Sequence, residues 1–469
     1  MIMSARAHVG RACLTTTAAV LLWTQQASLQ QKAADAITEA SIRGHMEFLA
    51  GDAMKGRGSG TEDEWRTAAY IGSHLRRLGL EPLGDNDGFV KQIETGRNSA
   101  IAPPVLSAGD ITLTHGREMI VTALGRSASG PLVKYTPGMT VAPGSVVLLT
   151  GSATIDAASA ATAVAILTPE SPQVRATWDT VGARLPTAAI ARGGGAPPPT
   201  RIALNWEAYG RISAQPAGAL ITIRAETKPG YTWNAIARLT GRDPKLKDEV
   251  ILLSAHLDHL GVRGTGGDAI FNGADDDASG STAVLELAEA LSHADRPKRS
   301  VLFAWFGSEE AGGFGARDFL AHPPVPLTQI VANVEFEMIG NPDPLVPPHT
   351  LWLTGYDCST LGPDLAKRGA RVVADPHPDQ GFFSRSDNIQ LARMGVVAQT
   401  ISSFDAVASK TYHKASDEVS TIDFAHMHDA IQSMLAPVLW LSNSNYRPAW
   451  RSGKDPSQGG SCGARQGRG

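Results

Sequence analysis

Histidines and carboxylates recur along this sequence where apolar, strand-like runs end. In chain order they are His256, Asp258, His259, Glu309, Glu310, Glu337 and His413, and the triplet Asp275, Asp276 and Asp277 stands in the loop before an apolar helical run. Each has an ordinary explanation when taken alone, such as a carboxylate at a helix start, where it suits the positive end of the dipole. Their recurrence at consecutive strand ends favours a shared site.

The residue types in this set predict metal chemistry. Two histidine nitrogens and several carboxylates form a donor set suited to zinc. Because there are more carboxylates than one zinc ion uses, the set predicts two ions roughly 3.5 to 4 Å apart that share a bridging carboxylate and a water. One further carboxylate should stay unbound and accept a proton from that water. The adjacent Glu309 and Glu310 offer this division of roles.

Strand, loop and helix alternate from about residue 231 onward. Buried-strand patterns occupy "EVILLSAHLDH", "SVLFAWFGSEE", "IVANVEFEMIG", "HTLWLTGY" and "GVVAQTISS", and helical patterns occupy 278–291, "GFGARDFLAH" and "IDFAHMHDAIQSMLAPVLWLSNS". Two earlier segments, "ITEASIRGHMEFLAGD" and "TEDEWRTAAYIGSHLRRLGLEPLG", also have helical spacing. The pattern predicts an α/β fold with a mostly parallel central sheet flanked by helices, in which ligands bind beyond the carboxyl ends of the strands.

Composition divides the 469 residues into segments. Residues 1–27 carry two arginines before an apolar run that is too short to span a bilayer, which predicts a signal peptide. We expect 38–110 to form the first part of a catalytic domain, 111–225 a β-rich insert, 226–446 the rest of the catalytic domain, and 447–469 a disordered tail. Since no later run offers about 20 apolar residues, we expect an exported protein, periplasmic or extracellular, without a membrane span.

The overall composition is that of a soluble globular protein. Apolar residues make up 42% and charged residues 19%, and the formal net charge is −4, which offers nothing basic to bind nucleic acid. Of the three cysteines, Cys13 lies in the expected signal peptide, which leaves Cys358 and Cys462. Export permits a disulfide, but two cysteines do not make a disulfide scaffold.

Several motifs, taken in order, resemble the zinc-dependent exopeptidases of the bacterial leucyl aminopeptidase, glutamate carboxypeptidase and transferrin-receptor-like superfamily. They are "GRGSGTEDEWRTAAYI", "SAHLDHLG", "NGADDDASGSTAVLELAEAL", "AWFGSEEAGGFGARDF", "VEFEMIG" and "YHKASDEV", and together they cover most of residues 40–445. The resemblance implies the phosphorylase/hydrolase-like exopeptidase fold. The insert is placed like the protease-associated domain of many relatives.

The resemblance also implies two zinc ions per chain and assigns their ligands by position. One ion would be held by His256, Asp276 and Glu337, and the other by Asp276, Glu310 and His413. Asp276 would therefore bridge the two ions, and the peptide bond that follows it would be cis. Many relatives have Asp at the position of Glu337, so the spacing and identity of the metals stay open.

Further residues receive supporting roles from the same resemblance. Glu309 would be the general base, and Asp258 would accept the other ring N–H of His256. Tyr412 matches a position where some relatives steady the oxyanion with the phenol. In the triplet, Asp275 would hydrogen-bond in support and Asp277 would order the following turn. His259 receives no role beyond local hydrogen bonding.

The resemblance implies a secreted di-zinc metallopeptidase that hydrolyses the N-terminal peptide bond of peptides and proteins, with Glu309 activating a metal-bridging water. A carboxypeptidase remains an alternative, because aminopeptidase is preferred on family frequency alone; Arg385 in "FFSRSDN" is the nearby basic residue that could read a carboxylate. Glutaminyl cyclases of the same fold use one zinc, and receptor ectodomains have lost ligands, so the full ligand set disfavours both. The side-chain preference, physiological substrate and oligomeric state are not fixed by the sequence.

Overall fold

The computed structural model describes residues 31–125, 127–150, 153–187, 198–263 and 267–462. The chain divides into two compact units, unit 1 with Met1–Ile93 and Thr232–Gly469, and unit 2 with Glu94–Tyr231. The predicted signal peptide, residues 1–27, lies outside the described residues. Within the described ranges, no helix combines the length and the apolar character needed to cross a bilayer.

The described chain contains helices in both units. The α-helices are α1 (Glu39–Leu49), α2 (Glu62–Arg77), α3 (Ala157–Thr162), α4 (Pro172–Ala176), α5 (Trp178–Gly182), α6 (Trp206–Ser213), α7 (Gly280–His293), α8 (Phe314–Ala321), α9 (Leu361–Lys367), α10 (Asn388–Ala392) and α11 (Phe424–Asn443). Short 3-10 helices occupy Asp52–Arg57, Asp85–Asp87, Leu327–Gln329, Tyr356–Cys358, Pro378–Gln380, Phe382–Ser384, Val419–Thr421 and Pro456–Gln458.

The strands also follow in chain order. They are β1 (Glu81–Pro82), β2 (Val90–Glu94), β3 (Ser99–Ala100), β4 (Val105–Ala108), β5 (Ile111–Thr114), β6 (Met119–Ala123), β7 (Ala128–Tyr135), β8 (Val146–Leu149), β9 (Ala165–Pro169), β10 (Thr200–Leu204), β11 (Leu220–Arg224), β12 (Thr227–Lys228), β13 (Tyr231–Leu239), β14 (Val250–His256), β15 (Gly261–Val262), β16 (Ile270–Phe271), β17 (Ser300–Phe306), β18 (Ile330–Phe336), β19 (Leu351–Leu353), β20 (Val372–Ala374) and β21 (Ala398–Ser402).

Unit 1 is built on a nine-stranded sheet. Its order is β1-β13-β17-β14-β18-β21-β19-β20, with β2 paired to β13. β14 runs parallel to both of its neighbours, β17 and β18, and β18 runs parallel to β21. β13 and β19 run antiparallel to β17 and β21. The predicted α/β fold with a mostly parallel central sheet is therefore confirmed, and its antiparallel pairs lie toward the margins.

The central strands are apolar throughout because both faces of the sheet are covered. In β14, Ile251, Leu253 and Ala255 pack into one apolar layer, which also contains side chains of α7 and α11, while Val250 and Leu252 pack into the other. A strand buried on both faces reads as a continuous apolar run rather than an alternating one. The candidate ligands begin where such strands leave these layers, at their carboxyl ends.

Unit 2 has a sheet and a core of its own. Eight strands pair in the order β5-β4-β11-β7-β8-β9-β10-β6, and β3 pairs separately with β12. Its apolar core includes Leu106, Val146, Leu167 and Ile202. The bounds Glu94–Tyr231 are wider at both ends than the predicted insert of residues 111–225. Its assignment as a protease-associated domain stays a prediction.

The C-terminal segment of unit 1 is folded as far as Cys462. The Trp450 ring N–H donates to the Gly395 carbonyl at 3.3 Å, and the Arg451 N–H donates to the Cys358 carbonyl at 2.8 Å. Cys358 and Cys462 form a disulfide with their Cα atoms 5.9 Å apart. The predicted disordered tail is therefore wrong for residues 447–462, because covalent and backbone contacts anchor a segment of polar, Gly-rich composition. Residues 463–469 lie outside the described residues.

Breaking this disulfide should destabilise unit 1. The two cysteines are 104 residues apart, and removal of a cross-link that closes so long a loop typically costs about 2 to 4 kcal/mol, mainly by freeing the unfolded chain. We expect Cys462→Ser to lower the free energy of unfolding by about that amount in a denaturant titration. Wild-type protein with reductant should match the variant, and equal stability of the variant and the oxidised wild type would contradict the prediction.

Candidate active site

The end of β14 supplies the first group of candidate residues. β14 ends at His256, and the chain then turns so that the N–H of His259 donates to the Arg57 carbonyl at 3.1 Å. The side chains of His256, Asp258 and His259 are all buried, with at most 1% of each residue exposed. Ionisable groups are buried at this depth only when something of opposite charge or a metal compensates them.

Asp277 uses its carboxylate to hold neighbouring backbone in place. Its Oδ1 accepts the N–H of Gly280 at 3.1 Å and that of Met338 at 3.0 Å, and its Oδ2 accepts the N–H of His256 at 3.2 Å. The first of these bonds satisfies a free donor at the start of α7, as a capping residue does. Asp277 therefore orders the following turn, as predicted, and also joins it to the ends of β14 and β18.

The other two aspartates of the triplet are positioned by a fourth. Oδ1 and Oδ2 of Asp417 accept the N–H groups of Asp275 and Asp276 at 2.9 and 3.1 Å. The Asp275 side chain accepts the N–H of Gly340 at 2.7 Å, which is the supporting role expected for it. The peptide bond between Asp276 and Asp277 is cis, as the resemblance implies. The sequence analysis gave Asp417 no role.

A buried guanidinium lies beneath this turn. Arg57 is 1% exposed, and its N–H groups make five hydrogen bonds, all to backbone carbonyls. The acceptors are Leu257 at 3.1 Å, Leu49 at 2.7 Å, Asn272 at 2.6 Å, Gly273 at 2.8 Å and Asp276 at 3.4 Å. Arg57 therefore ties the end of α1 to both loops that carry candidate ligands, a role that the sequence analysis missed.

Two candidate ligands lie against the carboxylate of Asp276, and one of them also lies near Glu310. His256 Nε2 lies 3.2 Å from Oδ1, and His413 Nε2 lies 3.3 Å from Oδ2. His413 Nε2 is also 3.3 Å from Glu310 Oε1. The two oxygens of one carboxylate thus face two different histidines, which is the arrangement expected of a bridging ligand.

His259 belongs to the same cluster, although the sequence analysis gave it no site role. Its Nδ1 lies 2.9 Å from Glu310 Oε1 and 3.7 Å from Asp276 Oδ2. Potential ligand atoms of His259, Asp276 and Glu310 all lie within 4.8 Å of one another. The spacing "HLDH" was the visible signal for this second histidine, but the sequence did not show where its side chain points.

The donor atoms of the cluster fit a metal ion. Both ring nitrogens of His256 and of His259 are buried without a hydrogen-bond partner, and so is Oε1 of Glu310. Buried polar atoms without partners are rare in folded proteins and indicate an unrepresented ion or water. Imidazole nitrogens and carboxylate oxygens are the ligands that zinc prefers after thiolate. The residues present are therefore suited to hold zinc.

Opposite charges set the protonation of the cluster. Burial opposes the charged form of Asp276, but His259, His256 and His413 outweigh it and hold the pKa of Asp276 well below its usual value. Burial would likewise lower the pKa of His256, but Asp277 and neighbouring carboxylates raise it well above the usual range. The histidines and Asp276 thus favour each other's charged forms, and a dication would take over the role of the positive partner.

Glu309 lies beside this cluster, and none of the contacts described above involves its carboxylate. Its N–H donates to Asp258 Oδ1 at 2.9 Å, which fixes the backbone next to Glu310. Burial is the largest cause of a raised pKa at Glu309, and His256 opposes it. A carboxyl whose pKa is raised by burial is suited to exchange protons.

The predicted hydrogen bond from His256 to Asp258 is not made. The two atoms, His256 Nδ1 and Asp258 Oδ1, are 3.7 Å apart, which is beyond hydrogen-bonding distance. The Asp258 carboxylate instead accepts hydrogen bonds from the Glu309 N–H and from the Ser59 hydroxyl. The Asp258 carboxylate thus holds the backbone next to Glu310, and its predicted support of His256 stays a prediction.

Glu337 and Tyr412 lie together on one side of the cluster. Both line a small cavity whose wall also contains Trp352, Phe382 and Arg385. The Tyr412 ring stacks on His413 with 3.9 Å between ring centroids, and its hydroxyl accepts a hydrogen bond from Arg385 at 3.3 Å. Burial raises the pKa of Glu337, and the nearby His256 opposes this rise. The role of Glu337 as a ligand stays a prediction.

Comparison with known proteins agrees with this arrangement. Residues 234–438 match the model of peptidase family M28. Leupeptin-inactivating enzyme 1 of Streptomyces exfoliatus is 36% identical over 138 residues, which are 29% of this chain and 28% of that protein. An aminopeptidase of Pseudomonas aeruginosa strain UCBPP-PA14 is 35% identical over 119 residues, 25% of this chain and 20% of that one. The chain thus spans less than a third of the length of these relatives.

Two solved structures share the fold. An aminopeptidase from Aneurinibacillus sp. strain AM-1 superposes with a TM-score of 0.51 at 16% identity, over 89% of this chain and 97% of that one. BSAP, a zinc aminopeptidase from Bacillus subtilis, superposes with a TM-score of 0.50 at 17% identity, over 87% of this chain and 96% of that one. Identities this low carry information on the fold alone.

The histidine–carboxylate cluster lies at the strand ends of a fold that is shared with solved aminopeptidases. Residues 234–438 match peptidase family M28. The predicted resemblance to zinc-dependent exopeptidases is confirmed for this segment.

Proposed function

We propose that this protein is a di-zinc aminopeptidase that hydrolyses the N-terminal peptide bond of peptides and proteins. One observation carries the proposal: Oδ1 of Asp276 faces His256 at 3.2 Å, and Oδ2 faces His413 at 3.3 Å. A single carboxylate with separate histidines at its two oxygens suits two ions held side by side. The ligand sets are those predicted, His256, Asp276 and Glu337 for one ion and Asp276, Glu310 and His413 for the other.

When bound, the ions would polarise the scissile carbonyl and make water a nucleophile at neutral pH. Glu309 takes the proton from the attacking water and passes it to the leaving amine. Its burial supports this role, because a desolvated carboxylate is a stronger base than one in water. Tyr412 accepts a hydrogen bond from Arg385, which leaves its own hydroxyl proton free to stabilise the developing oxyanion.

Export of the protein belongs to the same proposal. Cys358 and Cys462 are bonded, and disulfides of this kind form and persist in oxidising compartments. The bond supports a periplasmic or extracellular location, together with the signal peptide expected over residues 1–27. Substrates would then be peptides outside the cytosol.

A carboxypeptidase is the second candidate, and one observation favours it. Arg385 lines the same cavity as Glu337 and Tyr412 and lies 3.3 Å from the Tyr412 hydroxyl. A guanidinium beside Tyr412 is suited to pair with the free carboxylate of a substrate.

One experiment tests the proposal and separates the two candidates. The full chain is assayed on leucyl anilide and on an acetylated dipeptide with a free carboxylate, before and after dialysis against a chelator. We expect hydrolysis of the anilide alone, loss of activity of at least about 100-fold on chelation, and recovery when two equivalents of zinc are returned. Metal content is measured in parallel.

Three other results of this experiment would change the proposed function. Cleavage of the acetylated dipeptide alone would support the carboxypeptidase. Full activity at one zinc per chain would contradict the two-ion site and favour cyclase-type chemistry. Activity that survives complete removal of metal would overturn the metallopeptidase proposal.

A further inference from the structure

His259 occupies a place in the cluster that the predicted ligand sets leave unexplained. Its ring is fully buried and belongs to the loop that also carries His256 and Asp258. Its Nδ1 lies 2.9 Å from Glu310 Oε1 and 3.7 Å from Asp276 Oδ2. Both carboxylates also face His413 Nε2 at 3.3 Å, so they do not need His259 as a partner. The position of the ring therefore indicates a role in the cluster.

The contact between His259 and Glu310 does not have the geometry of a hydrogen bond. Nδ1 of His259 and Oε1 of Glu310 are 2.9 Å apart, yet both are buried atoms without a hydrogen-bond partner. A ring N–H directed at the carboxylate would have satisfied both. Nδ1 of His259 is therefore not directed at Oε1 of Glu310, which leaves its lone pair available to an ion.

Four of the six distances between these donor atoms can be compared with those in one tetrahedral shell. Two ligand atoms at about 2.0 to 2.2 Å from a tetrahedral zinc are roughly 3.3 to 3.5 Å apart. His413 Nε2 is 3.3 Å from both Asp276 Oδ2 and Glu310 Oε1. The distances from His259 Nδ1 to the same two oxygens, 3.7 and 2.9 Å, lie on either side of that range.

The backbone around the ring is adapted to it. Gly273 has φ +60°, and a Cβ atom on it would lie 2.5 Å from Cγ of His259 and 2.2 Å from the Asp276 carbonyl oxygen. Residues that have a side chain rarely adopt this φ, and a Cβ atom would not fit at this position. The loop that presents Asp276 is thus shaped to admit the imidazole of His259.

We propose that His259 is a ligand, through Nδ1, of the same ion that Asp276, Glu310 and His413 hold. That ion then has four protein ligands, which is typical of a firmly held zinc, whereas the other keeps three, as catalytic zinc sites do. The two positions are therefore unequal, with the four-ligand ion bound more tightly. This inference rests on the proposed two-ion site and deepens it.

The test compares His259→Asn with wild type in the full chain. Asparagine keeps a hydrogen-bond donor near the position of Nδ1 but is a poor zinc ligand, so it separates a ligand from a residue that merely orients Glu310. Zinc is titrated into metal-free protein in competition with a chromophoric chelator, which gives a dissociation constant for each ion. His45→Asn is the matched control, because His45 is also buried but contacts Tyr70 and Glu286.

We expect the tighter of the two sites to weaken by more than about 100-fold in His259→Asn, because loss of an outer hydrogen-bonding partner alone costs about 10- to 100-fold. The control should bind both ions as wild type does. If His259→Asn binds both ions within about 100-fold of wild type, the inference is overturned while the proposed function stands. If wild type itself binds fewer than two ions, the two-ion site fails first, and this inference with it.

A crystal structure of the zinc-loaded wild type gives a reading that does not depend on a variant folding correctly. Anomalous scattering at the zinc edge locates the ions. We expect His259 Nδ1 at about 2.0 to 2.1 Å from one of them. A separation above about 3 Å, with the ring hydrogen-bonded to Glu310, would overturn the assignment.

Discussion

Glu309→Gln should abolish turnover while leaving the metal content unchanged. Glutamine has nearly the shape of glutamate but cannot accept the proton of the attacking water, and loss of a general base costs about 10²- to 10⁴-fold in rate. Because the Glu309 N–H, not its side chain, binds Asp258 at 2.9 Å, the substitution leaves that loop contact in place. Steady-state kinetics on leucyl anilide and elemental analysis of the same samples measure both quantities.

The neighbouring residue provides the control for this experiment. Glu310→Gln removes a carboxylate whose Oε1 lies 3.3 Å from His413 Nε2 and 2.9 Å from His259 Nδ1. We expect this variant to lose zinc together with activity, whereas Glu309→Gln loses activity alone. If Glu309→Gln loses zinc and Glu310→Gln keeps it, the roles of ligand and general base are exchanged. A Glu309→Gln variant within about tenfold of the wild-type rate would refute the assignment of the base.

Arg57→Met should destabilise unit 1 more than any surface substitution. Arg57 is 1% exposed, and its removal takes a donor from the backbone carbonyls of Leu257 and Asn272, one in each site loop. It also removes a buried positive charge that interacts with the carboxylates of Asp417 and Asp277. Removing one partner from a buried charged network typically costs about 3 to 5 kcal/mol.

We therefore expect Tm to fall by roughly 10 °C in Arg57→Met, measured by calorimetry on the metal-free protein. Arg393→Met is the control, since Arg393 is exposed and surface changes are usually within about 0.5 kcal/mol of neutral. Arg57→Lys should recover only part of the loss, because an ammonium has three donors where the guanidinium has five. A fall of less than about 2 °C for Arg57→Met would show that the carbonyls find other donors.

The central sheet and most candidate ligands were predictable for one physical reason. Strands such as β14 and β17 are buried on both faces, so their apolar runs are continuous and their ends are marked by the first cluster of charged residues. Ligands at those ends, including His256 and Glu310, follow from the rule that parallel sheets bind ligands beyond their carboxyl edge.

The contribution of His259 was not predictable by the same reasoning. Side chains alternate between faces only within a strand, and β14 ends at His256, three residues earlier. The direction of the His259 ring depends on the turn and on the space that Gly273 leaves, 14 positions further along the sequence. Asp417 was missed for a similar reason, since it acts on backbone N–H groups more than 140 residues away.

Arg57 and the C-terminal segment illustrate two other limits. The acceptors of Arg57 are backbone carbonyls, which every residue possesses, so no residue type marks the partners in the sequence. The segment of residues 447–462 is polar and Gly-rich, and composition of this kind predicts disorder unless a cross-link is known. The pairing of Cys358 with Cys462 supplies that cross-link.

The pairing of β2 with β13 has a consequence for how this protein can vary. The chain departs from the nine-stranded sheet at β2 and re-enters it at β13, and these strands are neighbours. Insertions are tolerated where the two ends of the interrupted chain lie close together. We therefore expect that unit 2 can be exchanged for another domain, or shortened to a turn, without a change in the order of the strands that carry the candidate ligands.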